Sequence, residues 1–315
     1  MKRKVALIGA GVMGANHART IANSAQFELT SVIDVSLSRA EDLANRYGAM
    51  FSTQLQTALD ADVSIVASST ESHFSTAEYL LSSGQPLLVE KPLTLSIGET
   101  RALCEIAVKS SIPLMCGFVE RFNPAITAAL KVVDGSLTHL TATRHSPHPS
   151  RATTGVVEDL LIHDLDLAVN IMESDVTVCG VAQIQPAGAT FNEIAEVSLS
   201  WENSRLCHLS TSRWGQRKVR LWTLSTRTQL VEVDLLQQTV VAYENISQDV
   251  GPGGGPSFRS RTVIDYPFIE RSGEPLSGQL LHFGKLLESR TESAAEIDGI
   301  LKTHSAMDEI LRWSA

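Results

Sequence analysis

Gly9-Ala10-Gly11-Val12-Met13-Gly14 has the spacing of a turn that grips phosphate. It follows an apolar run at residues 4–8 and opens a helical pattern, so a strand should lead through the turn into a helix. The first glycine suits the tight turn, the second lets the backbone approach a pyrophosphate, and the third lets helix and strand pack closely. The helix N-terminus adds amide donors and a partial positive charge. Gly9, Gly11, Val12, Met13 and Gly14 are therefore candidate cofactor contacts. Asp34 ends the next apolar run, 20 residues beyond Gly14. A carboxylate there can accept both ribose hydroxyls and repel a 2′-phosphate, which favours NAD over NADP. Arg39, close behind it, keeps an NADP site as the alternative.

Two further segments could move a proton. Glu90-Lys91-Pro92 follows an apolar run at residues 87–89. The carboxyl edge of a parallel sheet is where ligands bind, so Lys91 could donate a hydrogen bond or act as an acid or base there; the alternative is a solvated surface lysine. Asp159-Leu160-Leu161-Ile162-His163-Asp164-Leu165-Asp166 places Asp159 and His163 four apart, on one face of a helix. Oxidising an alcohol by hydride transfer requires removal of the hydroxyl proton, and an imidazole with a carboxylate neighbour suits that task. Asp164 and Asp166 could instead belong to an exposed polar stripe. A metal site built from Asp159, His163 and either His145 or His148 fits no standard zinc spacing, so no metal is expected.

The elements that must position these groups fall into two textures. Over the first 120 residues apolar runs alternate with helical patterns, as in a parallel α/β sheet. Helices are expected at 37–47, stopped by Gly48, and at 96–109, where Ser96 and Glu99 have capping-box spacing. From about residue 134 longer strands dominate, at 137–144, 176–185, 195–201, 205–214, 218–226 and 230–244, with one helix over 156–172 among them. Successive runs of this kind indicate an antiparallel sheet. A flexible loop is expected at 249–260 and a helical tail at 276–313. Trp201, Trp214 and Trp222 fall in the strands and read as core or subunit-interface residues rather than sugar platforms.

Composition narrows the class. The chain has 315 residues, 43% hydrophobic and 19% charged, which is globular and long enough for two domains. A formal charge of −9 argues against nucleic acid as the main partner. No apolar run is long enough to span a membrane. The basic start, residues 1–4, leads into a strand and a glycine turn rather than a cleavage site. Four cysteines without a CxxC read as buried thiols in a reducing compartment, so cytoplasm is expected. Apolar positions on the longer strands suggest a second subunit, giving a homodimer or homotetramer.

The order and spacing of the glycine turn, Glu90-Lys91-Pro92 and Asp159-x-x-x-His163 resemble those of the Gfo/Idh/MocA oxidoreductases across essentially the whole chain. The resemblance implies an α/β chain with a Rossmann dinucleotide-binding domain over 1–120. It also implies an α+β domain with a large, mostly antiparallel open sheet over 121–315, whose terminal helices could pack back on the first domain. Lys91, Asp159 and His163 would lie at the reacting carbon, with His163 as base and Lys91 as donor. Ser68-Ser69-Thr70-Glu71-Ser72-His73 occupies the family's T-P-x-x-x-H loop with Ser69 in place of proline, and Ser69, Thr70, His73 and Glu90 join the cofactor contacts.

Gly117-Phe118-Val119-Glu120-Arg121-Phe122-Asn123-Pro124 is similar to family members acting on UDP-N-acetylglucosamine, including 3-dehydrogenases. That implies an NAD-dependent oxidation of a nucleotide sugar at C3, whose 3-keto product would suit transamination toward a lipopolysaccharide diamino sugar. Arg121 would contact cofactor and substrate, and Asn123, Arg144 and Arg151 the substrate. Arg213 and Arg217 are further cations, Arg217 reading as surface. The alternatives are a keto-sugar reductase, an inositol or free-sugar dehydrogenase, and a non-catalytic NAD-binding regulator. Retention of Lys91, Asp159 and His163 argues against the regulator.

Overall fold

The computed structural model describes residues 1–148, 154–172, 175–201, 205–249, 258–270 and 273–313. The chain divides into two compact units, 1–119 with 273–308 and 120–272 with 309–315.

In the first unit, β1 (Arg3–Ile8), β2 (Phe27–Ile33), β3 (Met50–Ser52), β4 (Val63–Val66), β5 (Leu87–Val89) and β6 (Leu114–Cys116) form a six-stranded sheet. Its order is β3-β2-β1-β4-β5-β6, and every pairing is parallel. The order reverses at β1/β4, so a crevice opens at the carboxyl ends of these two strands, where doubly wound sheets bind ligands. The central strands are buried on both faces, which explains their unbroken apolar runs. Between them run α1 (Val12–Ala22), α2 (Leu37–Tyr47), α3 (His73–Ser82) and α4 (Ile97–Ser110). Gly48 ends α2 at φ +68°, a left-handed stop that glycine adopts without strain. The capping-box expectation at α4 is corrected. Ser96 sits at the N-cap but its side chain caps nothing; the Thr94 hydroxyl donates to the Ser96 carbonyl instead (2.8 Å).

The second unit begins with α5 (Pro124–Val132), which the sequence reading missed although Asn123 and Pro124 spell a cap and a first turn. Eight strands follow: β7 (His139–His145), β8 (Thr177–Ile184), β9 (Ile194–Trp201), β10 (Arg205–Ser212), β11 (Val219–Ser225), β12 (Gln229–Asp234), β13 (Thr239–Asp249) and β14 (Phe258–Asp265). They form one sheet in the order β14-β13-β12-β11-β7-β10-β9-β8, antiparallel except where β10 runs parallel to β7. The single run expected at 230–244 is two strands. Asp234 Oδ1 accepts the Leu236 and Gln237 amides, and Gln238 turns the chain at φ +53°. Parts of the expected 249–260 loop belong to β13 and β14, and residues 250–257 lie outside the described ones. Between β7 and β8, a π-helical turn, Val157–Leu161, runs into α6 (Ile162–Met172). Helix α5 packs on β12 and β13, and α6 on β7 and β10.

The tail is two helices, α7 (Pro275–Leu286) and α8 (Arg290–Arg312). α7 packs on α1, and the His304 ring of α8 accepts the Leu93 amide, so residues 273–308 complete the first unit. Trp201 and Trp222 are fully buried, whereas Trp214 is exposed beyond the end of β10. Cys104, Cys116 and Cys207 are buried, and burial pushes the Cys104 thiol up to about 12. Cys179 is exposed, which corrects the expectation for that thiol. Among the described residues no helix is long and apolar enough to cross a membrane.

Candidate active site

In the first unit the glycine turn borders a cleft of about 690 Å³ lined by Gly11, Asp34, Ser69, Thr70, Glu90 and Lys91, among others. A Cβ at Gly9 would lie 2.5 Å from the Ala67 carbonyl oxygen, and one at Gly14 would lie 2.0 Å from that of Gly9. Neither position has room for a side chain. A Cβ at Gly11 would meet nothing within 4 Å, so that backbone is open to a ligand. Val12 and Met13 follow in the first turn of α1, whose amides have no intrahelical partners. This cradle fits a dinucleotide pyrophosphate.

Asp34 is buried at the end of β2. Its Oδ2 accepts the Ala10 amide (2.8 Å), and its Oδ1 accepts the Ser36 amide (2.8 Å) and the Arg39 guanidinium (2.9 Å). Burial alone would raise its pKa. The Ala10 and Ser36 amides and Arg39 outweigh that and hold the carboxyl below its ordinary range. The site therefore carries a fixed negative charge where a ribose would sit, partly offset by Arg39.

Glu90 and Lys91 follow β5, and the Lys91–Pro92 peptide is cis. The Glu90 carboxylate is held by His17, whose Nε2 lies 2.7 Å from its Oε1, and it packs so closely on Gly117 that a Cβ there would meet its Oε2 at 3.1 Å. His17 was missed by the sequence reading. Its signal is a polar residue on the buried face of α1, in line with Gly14 and Ile21. In the serine loop, the Ser72 hydroxyl and amide both donate to the Ser69 carbonyl, and the Ser68 and Ser72 hydroxyls pair at 2.7 Å. These bonds hold the turn that a proline would otherwise stiffen. His73 is buried, with one ring nitrogen 2.9 Å from the Pro92 carbonyl oxygen and the other 3.2 Å from that of Ser68. It ties the loop to the lysine segment.

In the second unit, three aspartates flank His163 in the sequence, and each holds a different arginine. Asp159, on the π turn, accepts Arg213 Nη2 (2.8 Å). Asp164 accepts Arg144 through Nε (2.6 Å) and Nη2 (2.9 Å), and Trp222 Nε1 as well (3.0 Å). Asp166 accepts Arg121 through Nε (2.7 Å) and Nη2. Arg144 also donates to Glu120 (3.1 Å), which Arg220 shares (2.9 Å). Two cations thus meet two anions. Burial works against the charge of Arg144, but Asp164 and Glu120 outweigh it and hold the guanidinium above its usual range. His163 itself is half-buried, between the buried Ile162 and Asp164.

These placements correct several expectations. Arg144, 2% exposed, is committed to internal carboxylates and is not presented to a substrate. Arg121 spends its fork on Asp166, and Asn123 is a buried N-cap that accepts the Ala125 amide and donates to Glu120 and Leu235. Asp164 and Asp166 are no exposed stripe; both are buried. Arg151 lies outside the described residues. Among the described residues no group of three or more His, Cys, Asp or Glu could hold a metal ion.

Residues 3–118 match the family model described as "Oxidoreductase family, NAD-binding Rossmann fold", GFO_IDH_MocA. The UDP-N-acetylglucosamine 3-dehydrogenase of Acidithiobacillus ferrooxidans is 28% identical over 268 residues, covering 82% of either chain. The solved structure of that enzyme superposes with a TM-score of 0.79 at 24% identity, covering 99% of this chain and 100% of the other. The chain is thus similar to the Gfo/Idh/MocA oxidoreductases, through the NAD-binding Rossmann model over residues 3–118 and through its fold along nearly its full length. It binds NAD through the first unit. Within the family the similarity is not confined to one substrate: an inositol 2-dehydrogenase of Rhizobium meliloti is 29% identical over 196 residues, 58% of this chain and 59% of its own.

Proposed function

We propose that the chain is an NAD-dependent dehydrogenase of a nucleotide sugar, oxidising UDP-N-acetylglucosamine at C3 to the 3-keto sugar. The observation that carries this reading is the length of the match to a UDP-N-acetylglucosamine 3-dehydrogenase, 82% of both chains against 58% and 59% for the inositol enzyme. Gly9, Gly11, Gly14 and the first turn of α1 hold the pyrophosphate, and Asp34 takes the ribose hydroxyls. Bound NAD supplies the hydride-accepting ring. His163 takes the proton of the sugar hydroxyl, and Lys91 donates a hydrogen bond to the same oxygen as it becomes anionic. Asp159 favours the protonated imidazole that results. Leu206 and Leu221, exposed on the open face of the large sheet, support association with a second copy. The 3-keto product suits a following transamination toward a lipopolysaccharide sugar.

The test is NADH formation with UDP-N-acetylglucosamine, free N-acetylglucosamine and myo-inositol in parallel. Turnover with the nucleotide sugar alone supports the reading. Turnover only with inositol moves the chain to the second reading, an inositol dehydrogenase, which the Rhizobium similarity favours.

A further inference from the structure

Arg213 is a buried cation to which the proposed chemistry gives no role. It follows the end of β10, its side chain is 1% exposed, and its own amide donates to the Glu193 carbonyl (2.9 Å). The guanidinium reaches the start of the π turn. Nη1 donates to the Thr154 carbonyl (2.8 Å), and Nη2 to the Gly155 carbonyl (3.4 Å) and Asp159 Oδ2 (2.8 Å). Two backbone carbonyls and one carboxylate are thus gathered on one planar fork, a geometry that lysine cannot reproduce.

Asp159 differs from the other two arginine-bound aspartates of its segment. Its side chain is 40% exposed, whereas those of Asp164 and Asp166 are 3% and 1% exposed. The Asp164 and Asp166 pairs are internal, while the Arg213 pair has its cation in the protein and its anion at the surface. The π turn adds a reason for the clamp. Such turns have poorer backbone geometry than α-helix and recur at functional sites, where the neighbouring structure holds them.

We propose that Arg213 is a positioning residue that acts through Asp159, fixing its carboxylate and the entry of the π turn that leads to His163. The proposal rests on the reading of His163 as base. Among the described residues, the charged groups around Arg213 are Asp159, Glu193, whose Oε1 lies 3.8 Å from Nη1, and Glu158. His148 Nε2 lies 3.6 Å from Glu193 Oε2.

The experiment pairs a substrate-free readout with a kinetic one. The Asp159 carboxyl is followed by ¹³C NMR in protein carrying labelled aspartate, assigned by its loss in Asp159→Asn, across pH in wild type, Arg213→Lys and Arg213→Gln. Removing the adjacent cation should raise the Asp159 midpoint in Arg213→Gln, with Arg213→Lys in between. Kinetically, Arg213→Gln should lower kcat on the order of 10²-fold, the cost of a misplaced group, with KM for NAD unchanged. Arg213→Lys should recover part of that loss, and either change made on Asp159→Asn should cost less than it does in the wild type, since only the hold on the Thr154 and Gly155 carbonyls is then lost. An unmoved midpoint overturns the proposal, as do losses that multiply in the double variant. If Arg213→Gln does not fold, Arg213→Lys carries both readouts. The titration needs no substrate, so failure of the nucleotide-sugar assignment leaves it intact.

Discussion

Gly11 and Gly14, three residues apart, make opposite predictions, because only Gly14 is crowded by the protein itself. At Gly14 an added Cβ would lie 2.0 Å from the Gly9 carbonyl oxygen. Ordinary nonbonded contacts begin near 3.5 Å, so turn and helix would have to part by about 1.5 Å. Overpacking of this kind costs about 1–3 kcal/mol, which at about 2–4 °C per kcal/mol lowers Tm by about 2–12 °C. Gly14→Ala should therefore lose stability before any ligand is added, and NAD affinity with it. At Gly11 the added Cβ would meet nothing within 4 Å, and the backbone, at φ −80°, already suits alanine. Gly11→Ala should keep the wild-type Tm or gain slightly. It should nevertheless weaken NAD about 5- to 150-fold, the same 1–3 kcal/mol now taken from the complex. Thermal melts of the free proteins and NAD titration by calorimetry separate the two. Full NAD affinity in Gly11→Ala would show that the pyrophosphate does not lie over this turn.

Three further outcomes follow from the charged groups. His163→Ala should cut kcat by roughly 10²–10⁴ while leaving the NAD dissociation constant near the wild-type value; unchanged turnover rules His163 out as base. Arg144→Met strands the buried Asp164, and the loss of a buried partner costs about 3–5 kcal/mol, a Tm fall of about 6–20 °C; a surface cation reserved for substrate would show no such fall. Asp34 has a folded pKa below its unfolded one, so its contribution is present above the unfolded pKa and lost as pH falls through the folded pKa. The stability gap between wild type and Asp34→Asn, measured by urea unfolding, should be widest near neutral pH and close on acidification. A gap that widens in acid would reverse the assigned sign.

The parallel sheet was legible because its signals are local. Unbroken apolar runs, Gly9 to Gly14 and the Gly48 stop each fix an element from a handful of neighbours. The large sheet was legible as a class but less so in detail, since the 234–238 turn carries neither glycine nor proline and rests on Asp234 accepting two amides. The roles of the arginines were not legible. Arg121, Arg144 and Arg213 look like cations for a diphosphate when read singly, because a sequence shows charge without showing depth. Their partners lie 45, 20 and 54 residues away in the chain. His17 escaped for the same reason, with Glu90 73 residues distant.

The burial of those pairs raises the question of what they do for a helix that leucines could anchor more cheaply. Taking Arg144 and Asp164 out of water costs several kcal/mol per ion, and their attraction roughly repays it, so the pair contributes little net stability. Its effect lies in direction. An apolar face can slide by a ridge with modest loss, whereas Asp164 meets Arg144 and Trp222 at one azimuth, which fixes the rotation of α6 and hence the bearing of His163. Arg144→Met combined with Asp164→Leu should then recover much of the stability that Arg144→Met alone loses, because no unpaired charge remains and Glu120 keeps Arg220. Turnover should stay low in the combined variant, since packing restores the helix without restoring its phase. Urea unfolding and kcat measured side by side decide the matter: activity that returns together with stability would mean that the ion pair fills space and orients nothing.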